Sequence, residues 1–364
     1  MGRLALNRME DLVDGEHSCL ASETLSRKSY NCTVSLRIGT SGWSYPTGKG
    51  TWNGLFYPGG AGRRSAKAGA FDELSWYAEH FDVVEVNSSF YGPPTPATTK
   101  KWAQRTPPGF EFCLKLYQKF THPEMYKKAA LADLPDQSPD VLAGLARVTA
   151  ADVGVFKDAL TPLAVAGRLG ALLAQFPPRF HDTPANREYL DWLLTTFGEF
   201  DVAVELRHKT WSDSHAETLK LLNRHNAAWT QIDEPKFRFS IRQNWLPNQE
   251  GFAYMRLHGR NVAEWWHHDA TEDRYNYLYS REELEPIAVV ATSTAAIVKK
   301  AYVFMNNHFA SKSVVNAVVL KHLAGEPITG NYPPELVERY LDLKGLVETA
   351  PATPKLPSGP ATAS

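Results

Sequence analysis

The sequence predicts an α/β protein of the TIM, or (β/α)8, barrel class, built as a single domain with flexible N- and C-terminal tails. Three observations predict it. Short apolar or β-branched runs alternate with helix-patterned stretches about eight times across 36–345, and strands joined by helical crossovers must be parallel. In most of these runs the polar residues fall on alternate positions near the C-terminal end, where barrels of this class build their sites. No glycine-rich dinucleotide fingerprint opens a helix after a strand, because Gly59-Gly60-Ala61-Gly62 does not follow a strand. That removes the main argument for an open doubly wound sheet.

Residues 1–35 are polar and unpatterned and are expected to form a flexible extension. The first strand is Leu36–Ser41, followed by a loop to about residue 64 that holds Trp43, Tyr45, Trp52 and Tyr57. A helix over 70–80 carries Phe71, Leu74, Tyr77 and Ala78 at helical spacing and leads into a second strand, 83–88. Thr95-Pro96 supplies an N-cap and first helical residue for a helix over 95–105. The third strand covers 111–116, and a charged, proline-bearing insertion over 121–139 precedes a helix at 151–169. Strand 170–176 is stopped by Pro177-Pro178. Helix 186–197, strand 202–207, helix 214–225 and strand 228–233 follow. After a loop come strand 252–258, helix 282–299, strand 301–306 and helix 311–323. Residues 346–364, rich in Pro, Ala and Thr, are expected to be a disordered tail.

Side chains alternate between the faces of a strand. Glu85 and Asn87 therefore share a face opposite Val84 and Val86, and Lys115 shares one with Cys113. Gln175 lies with Ala171 and Leu173, Glu205 with Arg207, and Gln231 with Asp233. Tyr254, Arg256 and His258 form one set, and Asn306 lies with Phe304 while Asn307 takes the opposite face. The apolar face must pack on helices, so the polar face is expected to look along the barrel axis. A self-neutralising network that merely fills a wide barrel is the competing expectation. Removing one partner of such a network costs about 3–5 kcal/mol without any role in function.

Six stretches together resemble one family. They are Ile38-Gly39-Thr40-Ser41-Gly42-Trp43-Ser44-Tyr45, Glu85-Val86-Asn87-Ser88-Ser89-Phe90-Tyr91, Leu172-Leu173-Ala174-Gln175-Phe176-Pro177-Pro178, Val204-Glu205-Leu206-Arg207-His208, Arg256-Leu257-His258-Gly259-Arg260 and Val303-Phe304-Met305-Asn306-Asn307. In this order they are similar to the DUF72 (YecE-like) family, across about 36–323. The resemblance implies a TIM barrel and no established activity. At the level of fold alone it is similar to the xylose isomerase and endonuclease IV group. The N-terminal extension, the loop 46–52 and the stretch 121–150 look longer than the family's usual pattern.

Composition narrows the classes. The formal net charge is −1, so no global field favours nucleic acid or an anionic membrane. Three cysteines without metal-ligand spacing argue against a disulfide framework and suit a reducing, cytoplasmic compartment. No apolar run approaches the roughly 20 residues of a membrane helix, and no signal peptide is evident. The oligomeric state is not legible.

The polar set admits several chemistries. Glu85, Glu205, His208, Asp233 and His258 are residue types that hold zinc or manganese, but nearby Arg207, Arg256 and Lys115 oppose a cation. A divalent metal is the weaker expectation, and no other cofactor is specified. An anion site fits better: Arg207, Arg256, Arg260 and Lys115 grip phosphate or carboxylate. Asn87, Gln175, Asp233, Asn306 and Asn307 would bond a sugar or base edge, and Trp43, Tyr45, Tyr91 and Phe309 would stack on a ring. Acid–base catalysis would fall to Glu85, Glu205 and His258. The expected partner is a small phosphate or carboxylate, or a nucleic-acid fragment. It is met either by an enzyme, such as an endonuclease IV-like hydrolase by analogy, or by a non-catalytic binding barrel.

Overall fold

The computed structural model describes residues 36–59, 71–133, 137–262 and 271–350. The expected extension, 1–35, and the tail beyond residue 350 lie outside the described residues. The strands are β1 Leu36–Ser41, β2 Val83–Val86, β3 Glu111–Lys115, β4 Leu169–Gln175, β5 Val202–Glu205, β6 Ala228–Trp229, β7 Gln231–Asp233, β8 Phe252–Leu257 and β9 Lys300–Met305. They form one sheet in the order β6-β5-β4-β3-β2-β1-β9-β8-β7, and each paired neighbour is parallel. This is a nearly closed, TIM-like barrel.

The run expected as one strand over 228–233 carries two labels because it changes partner midway. Ala228 and Trp229 pair with β5, while Gln231, Ile232 and Asp233 pair with β8. Between them Thr230 N still donates to Val204 O at 2.9 Å. The barrel therefore closes through a single segment shared by both edges.

The helices are α1 Glu73–His80, α2 Pro96–Gln104, α3 Gln118–Thr121, α4 Pro123–Asp133, α5 Pro139–Leu145 and α6 Ala150–Val165. They continue with α7 Pro184–Thr196, α8 Lys209–Asp213, α9 His215–Arg224, α10 Arg281–Ala295, α11 Lys312–Ala324 and α12 Pro334–Arg339. Caps set many of their starts. Thr95 and Thr183 accept from Thr98 N and Asn186 N, each with proline following, while Thr149–Asp152 and Ser280–Glu283 form capping boxes.

Four boundaries differ from expectation. The stretch expected to be irregular contains helix over Pro123–Asp133 and the start of another at Pro139, each proline standing at a helix start, where it is tolerated. Helix α6 stops before 169, since Gly167 turns into the left-handed region with φ 65°. The second strand ends at Val86, and Ser88–Phe90 winds into a 3-10 turn. The ordered chain also continues past 345: β11 Glu348–Thr349 pairs with β10 Asn331–Tyr332.

Alternation divides the apolar residues as expected. Val84, Val86, Phe112, Leu114, Leu172, Ala174, Val202 and Val204 belong to the shell packed under the helices. Val83, Cys113, Ala171, Leu173, Ala203, Tyr254, Tyr302 and Phe304 form a separate cluster inside the barrel. That inner cluster fills the lower barrel and supports the polar residues one pleat higher. No helix among the described residues is long and apolar enough to cross a membrane.

Candidate functional site

Above the inner cluster lies an alternating chain of charges. Arg256 extends from β8 and grips Glu85 of β2 with two nitrogens, Nη2 to Oε1 at 2.7 Å and Nε to Oε2 at 2.9 Å. Tyr254 Oη donates to Glu85 Oε2 at 2.8 Å. The third nitrogen of Arg256, Nη1, reaches Glu205 Oε2 at 2.6 Å. Glu205 in turn accepts from Arg207 Nε at 2.7 Å, and Arg207 Nη1 lies 3.5 Å from Glu234 Oε2.

Both central carboxylates are fully buried, at 0% exposure. Burial alone would raise the Glu205 carboxyl, but Arg256 and Arg207 outweigh it and hold it well below the usual range. Burial opposes the charge on Arg256, yet Glu85 and Glu205 push its pKa above normal. Glu234 is shifted upward by burial, with Arg207 opposing.

His258 closes the layer. Its Nε2 lies 3.2 Å from Arg207 Nη2 and 3.5 Å from Glu205 Oε1, and its Nδ1 lies 2.8 Å from Asn306 Nδ2. Burial and the flanking arginines depress it to about 3, so the ring is neutral near pH 7. Glu85, Glu205 and His258 thus sit under the floor of the cleft, not in it.

The cleft encloses about 330 Å³ above this floor. Its cations are Lys115, Arg207, Arg256 and Arg274; its amides are Asn87, Gln175 and Asn306; its rings include Tyr45, Phe90, Tyr91, Tyr275, His122 and His308. Among the described residues no carboxylate lines it. Lys115 Nζ lies 3.9 Å from the centre of the Phe90 ring. Burial and Arg256 depress this amine to about 7. His122 is depressed to about 3 by burial and Lys115, and His308 to about 4 by burial. Asn87 Oδ1 and His308 Nδ1 are buried and meet no hydrogen-bond partner among the described residues.

The wall at β9 is held by unusual backbone. Ala310 and Ser311 take φ of 51° and 64°, a region costly for residues with a Cβ. Trp52 Nε1 holds His308 O at 2.7 Å, and Gly50 O holds Ala310 N at 2.9 Å. These ties place the His308 ring between Tyr45, 4.3 Å away, and Tyr275, 4.8 Å away.

A larger hollow, about 680 Å³, lies between α7 and α9 and is lined by Arg187, Asp191 and Arg224 among others. Arg187 is bound to Asp182 and Arg224 to Asp191. It is lined by residues of α7 and α9 and by none of the cleft residues, so size does not make it the better site.

Of the residues expected at the site, Tyr45, Asn87, Tyr91, Lys115, Gln175, Arg207, Arg256 and Asn306 do line the cleft. Four do not. Trp43 packs edge-on against Trp102 at 5.4 Å, because its loop turns back over the helical shell. Arg260 clamps Asp233 with bonds of 2.9 and 2.8 Å and also reaches Glu283 at 3.0 Å, forming a separate network beside α10. Asn307, on the opposite face from Asn306, donates to Asn316 of α11 at 2.7 Å.

The residues considered for a metal are likewise dispersed. Arginines hold Glu85, Glu205 and Asp233, and His208 caps α8 through Thr210 N. Among the described residues, no group of three or more His, Cys, Asp or Glu side chains converges to hold a metal.

The sequence did not point to Phe90, His122, Arg274, Tyr275 or His308 as cleft residues. Phe90 lies within a recognised motif and His308 directly follows one, which was the available signal. The others lie in loops and in the α3–α4 turn, where strand alternation gives no direction.

Comparison with known proteins bears on the family and the fold. A profile of the family described as "Protein of unknown function DUF72" matches residues 37–337. The UPF0759 protein YunF of Bacillus subtilis (strain 168) is 26% identical over 315 residues, 85% of this chain and 99% of that protein. The UPF0759 protein YecE of Escherichia coli (strain K12) is 32% identical over 137 residues, covering 37% of this chain and 41% of YecE. Among solved structures, a DUF72 family protein of Thermotoga maritima superposes with a TM-score of 0.63 at 30% identity, covering 80% of this chain and 99% of that one. One from Enterococcus faecalis gives 0.62 at 21% identity, over 80% and 96%, a likeness of fold alone.

Proposed function

Because this chain belongs to the DUF72 family, which carries no established activity, we propose its function from the cleft: it binds a small molecule bearing a phosphate or carboxylate. One observation carries the reading. Among the described residues the cleft lining holds Lys115, Arg207, Arg256 and Arg274 and no carboxylate, while the carboxylates beneath it are bonded to the inner edge of two of these arginines. Guanidinium and ammonium groups at a partly desolvated wall favour an anion. Asn87, Gln175 and Asn306 supply neutral contacts, and Tyr45, Tyr91 and Tyr275 supply ring faces for the rest of the ligand. A volume of about 330 Å³ suits a small molecule better than an extended nucleic acid.

The hydrolytic reading is weaker on the same geometry. Glu205 is held ionised by two arginines, and His258 is neutral, buried and a poor base. The reading takes the protein to act in a reducing, cytoplasmic setting, on the strength of its sparse cysteines.

The test is binding by calorimetry and thermal shift, with inorganic phosphate and pyruvate as probes. Wild type is expected to bind, more weakly as salt rises, and Arg207→Met to lose at least tenfold in affinity. Neither anion binding, or binding unchanged in Arg207→Met, would overturn it. Tight binding of a single-stranded oligonucleotide with no response to either small anion would favour a nucleic-acid ligand instead.

A further inference from the structure

The cleft holds a lysine that is not treated like the chain's structural ones. Lys119 bonds Asp152 at 2.8 Å and Lys300 bonds Glu111 at 2.7 Å. Lys115 has no such carboxylate partner among the described residues and ends against the face of Phe90. The other charged side chains in the described lining are Arg207, Arg256 and Arg274, and Glu85 and Glu205 below are bonded to Arg256 and Arg207. A cation flanked by cations in a partly desolvated wall gains by releasing its proton. The direction of its titration, down to about 7, agrees. A neutral lysine amine is a nucleophile, and neighbouring positive charge is one established way to activate it.

The geometry points to Lys115 as a covalent site that forms a Schiff base with an aldehyde or ketone bearing a carboxylate or phosphate. This rests on the anion-binding reading and adds the reactive group of the ligand. Lys115 Nζ adds to the carbonyl carbon and a C–N bond forms. The carbonyl oxygen takes one proton from the amine and one from cleft solvent, its bond to carbon breaks, and it leaves as water. The product is a protonated imine, one positive charge in place of the proton consumed. The anionic substituent offsets that charge beside the arginines, so a carbonyl compound without it is a poor substrate. The cations thus serve both to keep the amine free and to draw in the ligand.

The experiment is reductive trapping. The full-length protein is incubated at pH 7 with pyruvate or dihydroxyacetone phosphate and sodium cyanoborohydride, then analysed by intact mass and peptide mapping. The expected result is a single adduct on the Lys115 peptide, suppressed by excess phosphate. Its rate should rise through a midpoint near 7, below that of an ordinary lysine. Lys115→Arg, which keeps the charge, and Lys115→Met should each lose at least 90% of the label, with folding checked by thermal melting. Label spread over other lysines, or none on Lys115 while phosphate still stabilises the protein, overturns the inference and leaves the anion site standing. No label and no response to phosphate overturns both.

Discussion

Replacing Glu205 by Gln distinguishes a structural keystone from a reacting carboxylate. The substitution removes one negative charge shared by Arg256 Nη1 at 2.6 Å and Arg207 Nε at 2.7 Å. It also turns an amide donor toward one of two guanidinium donors. Unit charges about 4 Å apart at an effective dielectric near 20 interact by about 4 kcal/mol. Breaking a buried pair from one side costs about 3–5 kcal/mol in practice, because the remaining charge stays desolvated. Here Arg256 keeps Glu85 and Arg207 keeps Glu234, which places the loss nearer 3 kcal/mol than the full Coulomb term for two arginines. In a domain of this size that is a fall in Tm on the order of 5–10 °C. The assay is urea unfolding at pH 7, with Arg207→Met and the double substitution closing a cycle. The double variant should recover part of the loss, since the uncompensated Arg207 charge is gone. A Glu205→Gln protein within about 1 kcal/mol of wild type, with cleft binding abolished, would refute the reasoning and return Glu205 to a role in the cleft.

Acid should unfold the protein earlier than exposed carboxylates alone would dictate. His258 is depressed to about 3 against an ordinary 6.5, so between those values only the unfolded chain takes up its proton. Stability then falls as pH falls through that window, and Glu205, also held low, adds in the same direction below its ordinary 4.5. Urea midpoints at pH 7, 5 and 4 check this, and a flat series would contradict it. Gly39→Ala should cost about 1–3 kcal/mol or more, because its Cβ would stand 2.3 Å from Val83 O; an unchanged melting curve would show that β1 and β2 separate freely. Ala310→Gly should stabilise by about 0.5–1 kcal/mol by relieving a left-handed residue with a Cβ; a lower Tm would show that the conformation is not strained.

Strand faces were legible in the sequence, and strand ends and loops were not. Alternation alone sorts Val83 with Glu85, Cys113 with Lys115, Ala203 with Glu205 and Tyr254 with Arg256, and the barrel interior holds them so. It also separates Asn306 from Asn307, whose amide fastens α11. It cannot say how high along the axis a residue sits. That height decides that Glu85 and Glu205 are sealed while Lys115 and Asn87 reach the cleft. Nor can it reach past a strand's last pleat, where Arg260 swings to Asp233 and Trp43 to the helical shell. His122, Tyr275 and His308 are set by helix and loop geometry with no sequence period to reveal it.

The distribution of satisfied and unsatisfied groups bears on whether the polar interior is mere filling. A network kept only to fill a barrel should satisfy its own members, and the lower layer does: Glu85, Arg256, Glu205, Arg207 and Glu234 alternate in sign and bond in sequence, with one carboxylate in excess. The outlying Asp233–Arg260–Glu283 set is equally complete. The layer immediately above breaks the pattern. Lys115 has a ring where a carboxylate would serve stability, and Asn87 Oδ1 and His308 Nδ1 have no described partner. Ala310 and Ser311 adopt costly backbone to hold the wall. Buried side-chain atoms without a described partner also occur away from the cleft, Ser41 Oγ, Trp76 Nε1, Thr230 Oγ1, Gln231 Oε1 and Tyr332 Oη among them. Desolvated groups without partners cost stability unless something else meets them. The ion chain is bonded to itself, and Lys115 at the cleft, with no carboxylate partner among the described residues, is the group whose placement favours a ligand over mere filling.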